Sequence, residues 1–380
     1  MSSFDTVFPA DTIEFCPHPD ALDIFVCGTY RLDNILHPPA LGPENSLVQD
    51  VDSSVLQQRR GQCLLFQLDK ASDQGFHHIQ TLNFPAIPDI KWCHRSQVAS
   101  PLLGVADSEG GITLLEWQKN ERTLKWADHV RCASTEILCL SLDWSNRRIP
   151  GTDPGNLIVS LSNGSLCLLR PGDGGGLTLT ESWKAHDYEL WVGAWNYWDT
   201  NVVYSGGDDS KMKGWDVRQN LQRSPIINKR CSNLQLLIFF FIGLYLFRFD
   251  AGITSIQSHP HVEHIIAVGS YDDTVRLFDM RKPLTALAEV NVGGGAWRVK
   301  WHPSPSRRDD LLVACMYDGF KVIHFDAGKV KKGGEVVRRC DLHKSLAYGV
   351  DWSFGPATHD NETIIGSCSF YDHTLYIWSG

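Results

Sequence analysis

The chain has only four methionines, no Cys-x-x-Cys pair, no Gly-x-Ser-x-Gly and no His-Glu-x-x-His. Eleven cysteines scattered irregularly from Cys16 to Cys368 offer neither an even disulfide framework nor zinc spacing, and read as thiols of a reduced, intracellular chain. Without a nucleophile elbow or a zincin pair, the sequence holds no standard hydrolase triad and no metal-bound hydroxide. Positive charge is scarce: 35 Lys and Arg face 44 Asp and Glu, a net charge of −9. With no basic excess to neutralise phosphates, no nucleic-acid partner is expected. Met1-Ser-Ser-Phe-Asp-Thr-Val-Phe lacks the basic and apolar regions of a secretory signal, so a cytoplasmic chain is expected. The longest apolar run, Leu234-Gln-Leu-Leu-Ile-Phe-Phe-Phe-Ile-Gly-Leu-Tyr-Leu-Phe247, covers about fourteen residues. That is short of the roughly twenty a membrane-spanning helix needs, and no membrane partner is expected.

What the chain does have is turns, tryptophans and a repeat. Of 380 residues, 43% are hydrophobic and 21% charged, ordinary globular values, with 32 glycines and 13 tryptophans. One recurring pattern runs from a small residue through Asp into alternating apolar positions that end in an aromatic. It stands in Ser205-Gly-Gly-Asp-Asp-Ser-Lys-Met-Lys-Gly-Trp-Asp216, Ser270-Tyr-Asp-Asp-Thr-Val-Arg-Leu-Phe-Asp279 and Ser369-Phe-Tyr-Asp-His-Thr-Leu-Tyr-Ile-Trp378, with weaker copies after Asp107, Ser162 and Met316. Period-two alternation after a turn signal predicts a strand entered from a hairpin. Each copy follows an apolar strand that tends to end in Trp, as in Ile90-Lys-Trp92, Leu140-Ser-Leu-Asp-Trp144, Trp191-Val-Gly-Ala-Trp195, Trp297-Arg-Val-Lys-Trp301 and Tyr348-Gly-Val-Asp-Trp352. Ile253-Thr-Ser-Ile-Gln-Ser258 and Ile13-Glu-Phe15 bring the copies to seven.

Most copies recur at about 43 to 52 residues, the spacing of four-stranded propeller blades. The chain resembles the WD-repeat family, which implies an all-β, seven-bladed β-propeller as a single domain over 1–380, closed by a strand at Thr6-Val-Phe8. Two stretches break the period. Residues 32–58, rich in Pro, Asp, Ser and Gln, read as a mobile surface loop within blade one. Residues 231–248 are an apolar insertion of about eighteen residues over the repeat spacing. Excising it joins Asn228-Lys-Arg230 to Phe249-Asp-Ala-Gly-Ile253 and restores an ordinary connection, as a short intron read in frame would require. The alternative is a hydrophobic loop packed on a neighbouring blade.

A propeller alone implies a binding platform. More specific strings are Gly206-Gly-Asp-Asp209, Gly294-Gly-Ala-Trp-Arg-Val-Lys-Trp-His-Pro303, Tyr348-Gly-Val-Asp-Trp-Ser353 and Cys368-Ser-Phe-Tyr-Asp-His373. Together they resemble the diphthine methyltransferase family of diphthamide biosynthesis, WD-repeat diphthine methyl ester hydrolases, most closely over residues 183–380. The resemblance implies hydrolysis of the methyl ester of methylated diphthine on translation elongation factor 2, giving diphthine, with no metal or cofactor and a monomeric protein. The alternatives are a non-catalytic WD-repeat scaffold, or a ubiquitin-ligase substrate receptor using the Trp-Asp-x-Arg strings at Trp215 and Phe278-Asp-Met-Arg281.

In WD-repeat propellers the loops leading into the inner strands and those bearing the blade Asp open on one face. That gathers the candidate residues around one funnel. A trimethylammonium substrate calls for aromatic faces, and Trp191, Tyr271, Trp297, Tyr348 and Tyr371 are the expected substrate-binding residues. His186 or His373 is the expected general base, since imidazole titrates near working pH, and Arg298 the donor to the ester carbonyl. Each has a structural alternative. His186, in Lys184-Ala-His-Asp187, also fits the inter-blade histidine that bonds a turn Asp. Asp209, Asp272, Asp318 and Asp372 are expected in turns, and Trp92, Trp144, Trp195, Trp301 and Trp352 in the core.

Overall fold

In a computed structural model the chain folds into seven antiparallel sheets arranged as the blades of a β-propeller. The structure describes residues 2–35, 56–69, 75–172, 174–219, 225, 247–283, 285–326, 333–358 and 362–380. Among them the only helical turns are the 3-10 pieces Pro19–Ala21 and Pro305–Arg307. The seven innermost strands are β2 (Ala10–Phe15), β7 (Asp89–Cys93), β11 (Cys139–Trp144), β15 (Val192–Trp195), β19 (Ile253–Ser258), β23 (Ala296–Trp301) and β27 (Ala347–Trp352). Each coincides with one of the seven apolar copies in the sequence.

Side chains join the blades. Inner strands of neighbouring blades form no ladder with one another, so their N–H groups need other acceptors. Polar residues facing the channel supply them. Asp89 Oδ2 accepts from Leu142 N at 3.1 Å, Asp143 Oδ2 from Trp195 N at 2.8 Å and Asp351 Oδ2 from Phe15 N at 2.8 Å. Ser141, Ser255 and Gln257 serve Gly193, Val299 and Trp301 in the same way. The strand-ending tryptophans lock the next contact outward: the indole N–H groups of Trp144, Trp195 and Trp352 donate to the carbonyls of Lys91, Asp143 and Lys300, at 2.9 to 3.0 Å. The five expected core tryptophans, these three with Trp92 and Trp301, are all buried. Seven apolar clusters lie between successive blades, each large side chain contributing about 1.5–3 kcal/mol.

The ring closes through β1 (Ser2–Asp5), which pairs with β29 (Thr374–Ser379) from Ser2 opposite Ile377 to Asp5 opposite Thr374. The closing strand therefore ends just before Thr6-Val-Phe8. Val7, at φ 66°, cannot continue a strand, and Thr6 instead turns the chain, donating to the His373 carbonyl. Within the stretch 32–58, the ends are strand: β4 (Arg31–Ile35) pairs with the start of β5 (Leu56–Leu68), while 36–55 lie outside the described residues. Of the insertion at 231–248, residues 231–246 lie outside the described residues. Its last two, Phe247–Arg248 (β18), pair with Met212 and Lys211 as the outer strand of blade four.

Candidate funnel site

The second position of the inner strands builds the site. In β2, β11, β19, β23 and β27 the pairing register slips there, leaving Asp11, Leu140, Thr254, Trp297 and Tyr348 as bulged residues. A bulge removes one residue from the ladder and re-aims its side chain, so five blades present a side chain at the same level. Trp191 immediately precedes β15 at the corresponding place. Inner strands are antiparallel to their neighbours, so the turns after the second strands of blades one, five and seven share this edge and bring Tyr30, Tyr271, Phe370 and Tyr371 to it.

These residues form one continuous aromatic chain. Trp191 meets Tyr271 edge-on at 6.2 Å between ring centroids and Trp297 at 5.5 Å, and Tyr271 lies 5.8 Å from Trp297. Trp297 stacks on Tyr348 at 4.8 Å, Tyr348 touches Phe370 at 5.1 Å, and Phe370 meets Tyr371 at 5.0 Å and Tyr30 at 6.3 Å. All five expected substrate-binding residues thus fall in one belt. Phe370 and Tyr30 extend it. Trp191 is oriented by its indole N–H, which donates to Asp208 Oδ1 at 2.6 Å. Tyr371 stands out at the rim, 70% exposed. Burial raises the phenol pKa of Tyr271 and of Tyr348, so both remain neutral donors.

Beneath the belt lies a carboxyl group that sequence reasoning missed. Asp11 is 6% exposed, and its Oδ1 has no hydrogen-bond partner among the described residues. Burial, against the opposing charge of Arg298 and with that of Asp89, pushes its pKa up to about 7. Asp11 also acts electrostatically on Tyr30, Tyr271 and Tyr348. The Trp297 indole N–H is likewise buried and unpartnered, but so are those of Trp92, Trp117, Trp183 and Trp301, so the carboxylate is the more specific mark. The signal was present: Ala10-Asp-Thr-Ile-Glu-Phe15 aligns with Ala296-Trp-Arg-Val-Lys-Trp301 and Ala347-Tyr-Gly-Val-Asp-Trp352, with Asp11 opposite Trp297 and Tyr348.

Below this level the channel is filled with paired charges. Lys300 bridges Glu14 and, at 3.4 Å, Asp351, while Lys91 bridges Glu14 at 3.0 Å and Asp89 at 2.5 Å. A remaining void of about 40 Å³ has room for a few waters and nothing larger. The funnel therefore has a floor.

The three expected catalytic residues fare differently. His186 is a correction: it is 1% exposed, with Nδ1 2.8 Å from Asp209 Oδ1 and Nε2 2.8 Å from Ser205 Oγ. Trp215 Nε1 completes the relay at 2.8 Å from the same hydroxyl. Burial lowers the His186 pKa more than Asp209 raises it. With both ring nitrogens engaged inside blade four, His186 holds a turn and is not available as a base. His373 occupies a left-handed turn position at φ 53°; its carbonyl receives Thr6 at the ring closure and its N–H donates to the Phe370 carbonyl at 3.3 Å, while among the described residues no ring contact joins its imidazole to the aromatic belt. Arg298 is at the floor, 8% exposed, with its guanidinium 5.9 Å from the Trp297 ring. Its Nη2 crosses the channel to the Pro88 carbonyl at 3.1 Å and Asp89 at 3.3 Å, so it braces two blades and carries its charge beneath the site. The turn aspartates behave as expected. Asp209 bonds His186, Asp272 bonds Thr274 and Arg276, Asp318 bonds Lys321 and Arg339, and Asp372 bonds Ser369.

Three comparisons place this architecture. No protein-family model matches the chain. Among solved structures, a chain of the "Crystal Structure of Mitotic Checkpoint Complex" superposes with a TM-score of 0.63 over 100% of this chain and 90% of that one, at 12% identity, a likeness of fold alone. Among curated proteins, the chain is 37% identical to the diphthine methyltransferase of Homo sapiens over 93% of its length and 74% of that protein. It is 33% identical to the diphthine methyltransferase homolog of Dictyostelium discoideum, over 98% of this chain and 96% of that one. The Schizosaccharomyces pombe diphthine methyltransferase matches at 27% over 98% and 95%. With seven blades, the aromatic funnel and identity of this extent over nearly its whole length, the chain belongs to the diphthine methyltransferase family.

Proposed function

We propose that the protein acts in diphthamide biosynthesis by hydrolysing the methyl ester of methylated diphthine on translation elongation factor 2, as a cytoplasmic monomer. The observation that carries this reading is the aromatic belt of Trp191, Tyr271, Trp297 and Tyr348 standing over a buried carboxyl group and a buried guanidinium. A trimethylammonium group is held by aromatic faces with about 2 kcal/mol or more once desolvated. An ester at the end of the same side chain then lies near groups that can move a proton and stabilise a developing oxyanion. The rim is open, as a site acting on a residue of a large folded protein requires, and the exposed Tyr371 and Tyr317 provide contact surface. The relatives' name speaks of methyl transfer, and the two chemistries differ in product: hydrolysis releases methanol, whereas transfer places the methyl group on an acceptor. The purified protein, incubated with methyl-esterified elongation factor 2, should release methanol and leave a substrate lighter by one methylene unit by mass spectrometry. Binding without any change in substrate mass would leave a scaffold and end the hydrolase reading. We also propose that one propeller spans 1–380 and that residues 231–248 are an intron-encoded insertion. The support is the interrupted repeat spacing.

A further inference from the structure

We propose that Asp11 is the general base of the funnel, taking a proton from the water that attacks the ester carbonyl. This rests on the hydrolase reading above and names the group that carries its chemistry. Four observations converge. Asp11 is the bulged residue of β2, so its side chain leaves the sheet at the level of Trp297 and Tyr348. It is almost fully buried, with Oδ1 unpartnered, whereas the carboxylates of Glu14, Asp89 and Asp351 in the channel below are all bonded. A buried acceptor without a donor is destabilising, and a donor brought to the carboxyl by a ligand in the funnel would relieve that. The groups facing it leave no other base. Cys27 lies on β3 (Ile24–Thr29), Asp89 on β7, Arg298 on β23 and Tyr348 on β27, with Tyr30 and Tyr271 in the adjoining turns. The hydrogen bond with Cys368, with burial, raises the thiol of Cys27, burial raises the three phenols, Asp89 is ion-paired, and Arg298 is a cation.

The step balances with water as the co-reactant. Water oxygen bonds to the carbonyl carbon while its proton passes to the Asp11 carboxylate, and the carbonyl electron pair moves onto oxygen, beside the Arg298 charge. The tetrahedral carbon then collapses, the bond to methoxy oxygen breaks, and the proton on Asp11 goes to the leaving oxygen as methanol. The carboxylate is regenerated and the new carboxylic acid ionises to solvent.

Because the ionised form is the base, single-turnover demethylation should rise with pH to a plateau, with an apparent midpoint near 7 set by the raised Asp11 carboxyl. The test is that profile for the parental protein, together with turnover, KM and a melting curve for Asp11→Asn, using methyl-esterified elongation factor 2. We expect Asp11→Asn to melt no lower than the parent, to keep KM within a few-fold, and to lose about a hundredfold or more in turnover. An active parent without the neutral-pH limb overturns the assignment, a result that does not require the variant to fold. So does parental turnover in Asp11→Asn, and so does a raised KM with turnover unchanged, which would make Asp11 a counter-charge for the ammonium group. A parent that releases no methanol at all fails the hydrolase reading itself, so the two failures are told apart.

Discussion

Asp11 and Glu14 stand three residues apart on one strand, both nearly inaccessible to solvent, and they are treated in opposite ways. Glu14 is met by Lys300 and Lys91, and these cations, against the effect of burial, hold its carboxyl below its ordinary range. Asp11 has an unpartnered oxygen and a pKa raised by burial. The same contrast repeats around the ring. At the funnel level, blades present Trp297, Tyr348 and Thr254; three residues on, they present Lys300, Asp351 and Gln257, each engaged with a neighbouring blade. The channel uses its polar groups to join seven sheets; at the funnel level Thr254 still bonds the Ala296 carbonyl, but Asp11 Oδ1 and the Trp297 indole N–H have no partner among the described residues. Chemistry on a ligand needs groups of that second kind.

The largest effect should come from breaking the channel. Glu14→Gln removes the carboxylate shared by two buried cations, and breaking a buried pair this way costs about 3–5 kcal/mol. The melting temperature should fall well below the parent's, while demethylation per folded molecule changes little. The sign with pH follows from the lowered carboxyl. Its stabilising contribution is present above the unfolded value near 4.5 and is lost as pH falls below it. The gap in stability between parent and variant should therefore narrow in acid. A gap that widens there would mean that Glu14 is not ionised in the fold.

Two substitutions of intermediate size separate the levels. Trp297→Ala removes the ring that contacts Trp191, Tyr271 and Tyr348. The loss of about 2 kcal/mol of cation–π attraction corresponds to roughly thirtyfold in kcat/KM, and a larger loss in activity than in stability is expected. His186→Ala should do the reverse. It leaves Asp209 and Ser205 buried with one partner fewer, a cost of about 1–3 kcal/mol in stability, with turnover per folded molecule kept. Melting curves beside single-turnover assays read both. Should His186→Ala abolish turnover at unchanged stability, the imidazole is catalytic after all and the division between funnel and blade interior fails.

That division marks what the sequence made legible. The inner strands could be read because Trp92, Trp144, Trp195, Trp301 and Trp352 mark the ends of five of the seven, a packing requirement that Phe15 meets in blade one. The aromatic members of the site could be read because Trp297 and Tyr348 have no reason in a generic blade to stand where they do. Asp11 could not. In Ala-Asp-Thr-Ile-Glu-Phe, period-two alternation assigns Asp11 to one face with Ile13 and Phe15, and the bulge that breaks this alternation depends on pairing with β3. His186 was ambiguous for a related reason: its residue type suits both a base and a turn anchor, and only the positions of Ser205 and Asp209 decide. The closing strand, Ser2–Asp5, lies ahead of the expected Thr6-Val-Phe8 because the turn at Val7 is a backbone event with no side-chain signature.

The smallest expected effect concerns the join between repeat and insertion. Blade four is completed by Phe247–Arg248 against Met212 and Lys211. Deleting 231–248 brings Lys229 and Arg230 to the same point in the chain, immediately before Phe249, so a two-residue outer strand can still form from backbone hydrogen bonds alone. Phe249, buried beside Phe278, is retained, and so is the contact of Arg276 with its ring. Neither the inner strand of this blade nor the funnel residue Trp191 is touched. Folding free energy should therefore change by no more than about 1 kcal/mol, within the range of a substitution away from the core. Soluble yield should rise, because a run of uncharged, β-prone residues is gone. Demethylation by the deleted form should equal or exceed that of the full chain. A deleted form that melts lower or precipitates more readily would show that the apolar run packs as part of blade four. A messenger RNA population that retains these codons throughout would count against an intron origin, even if the deleted form folds.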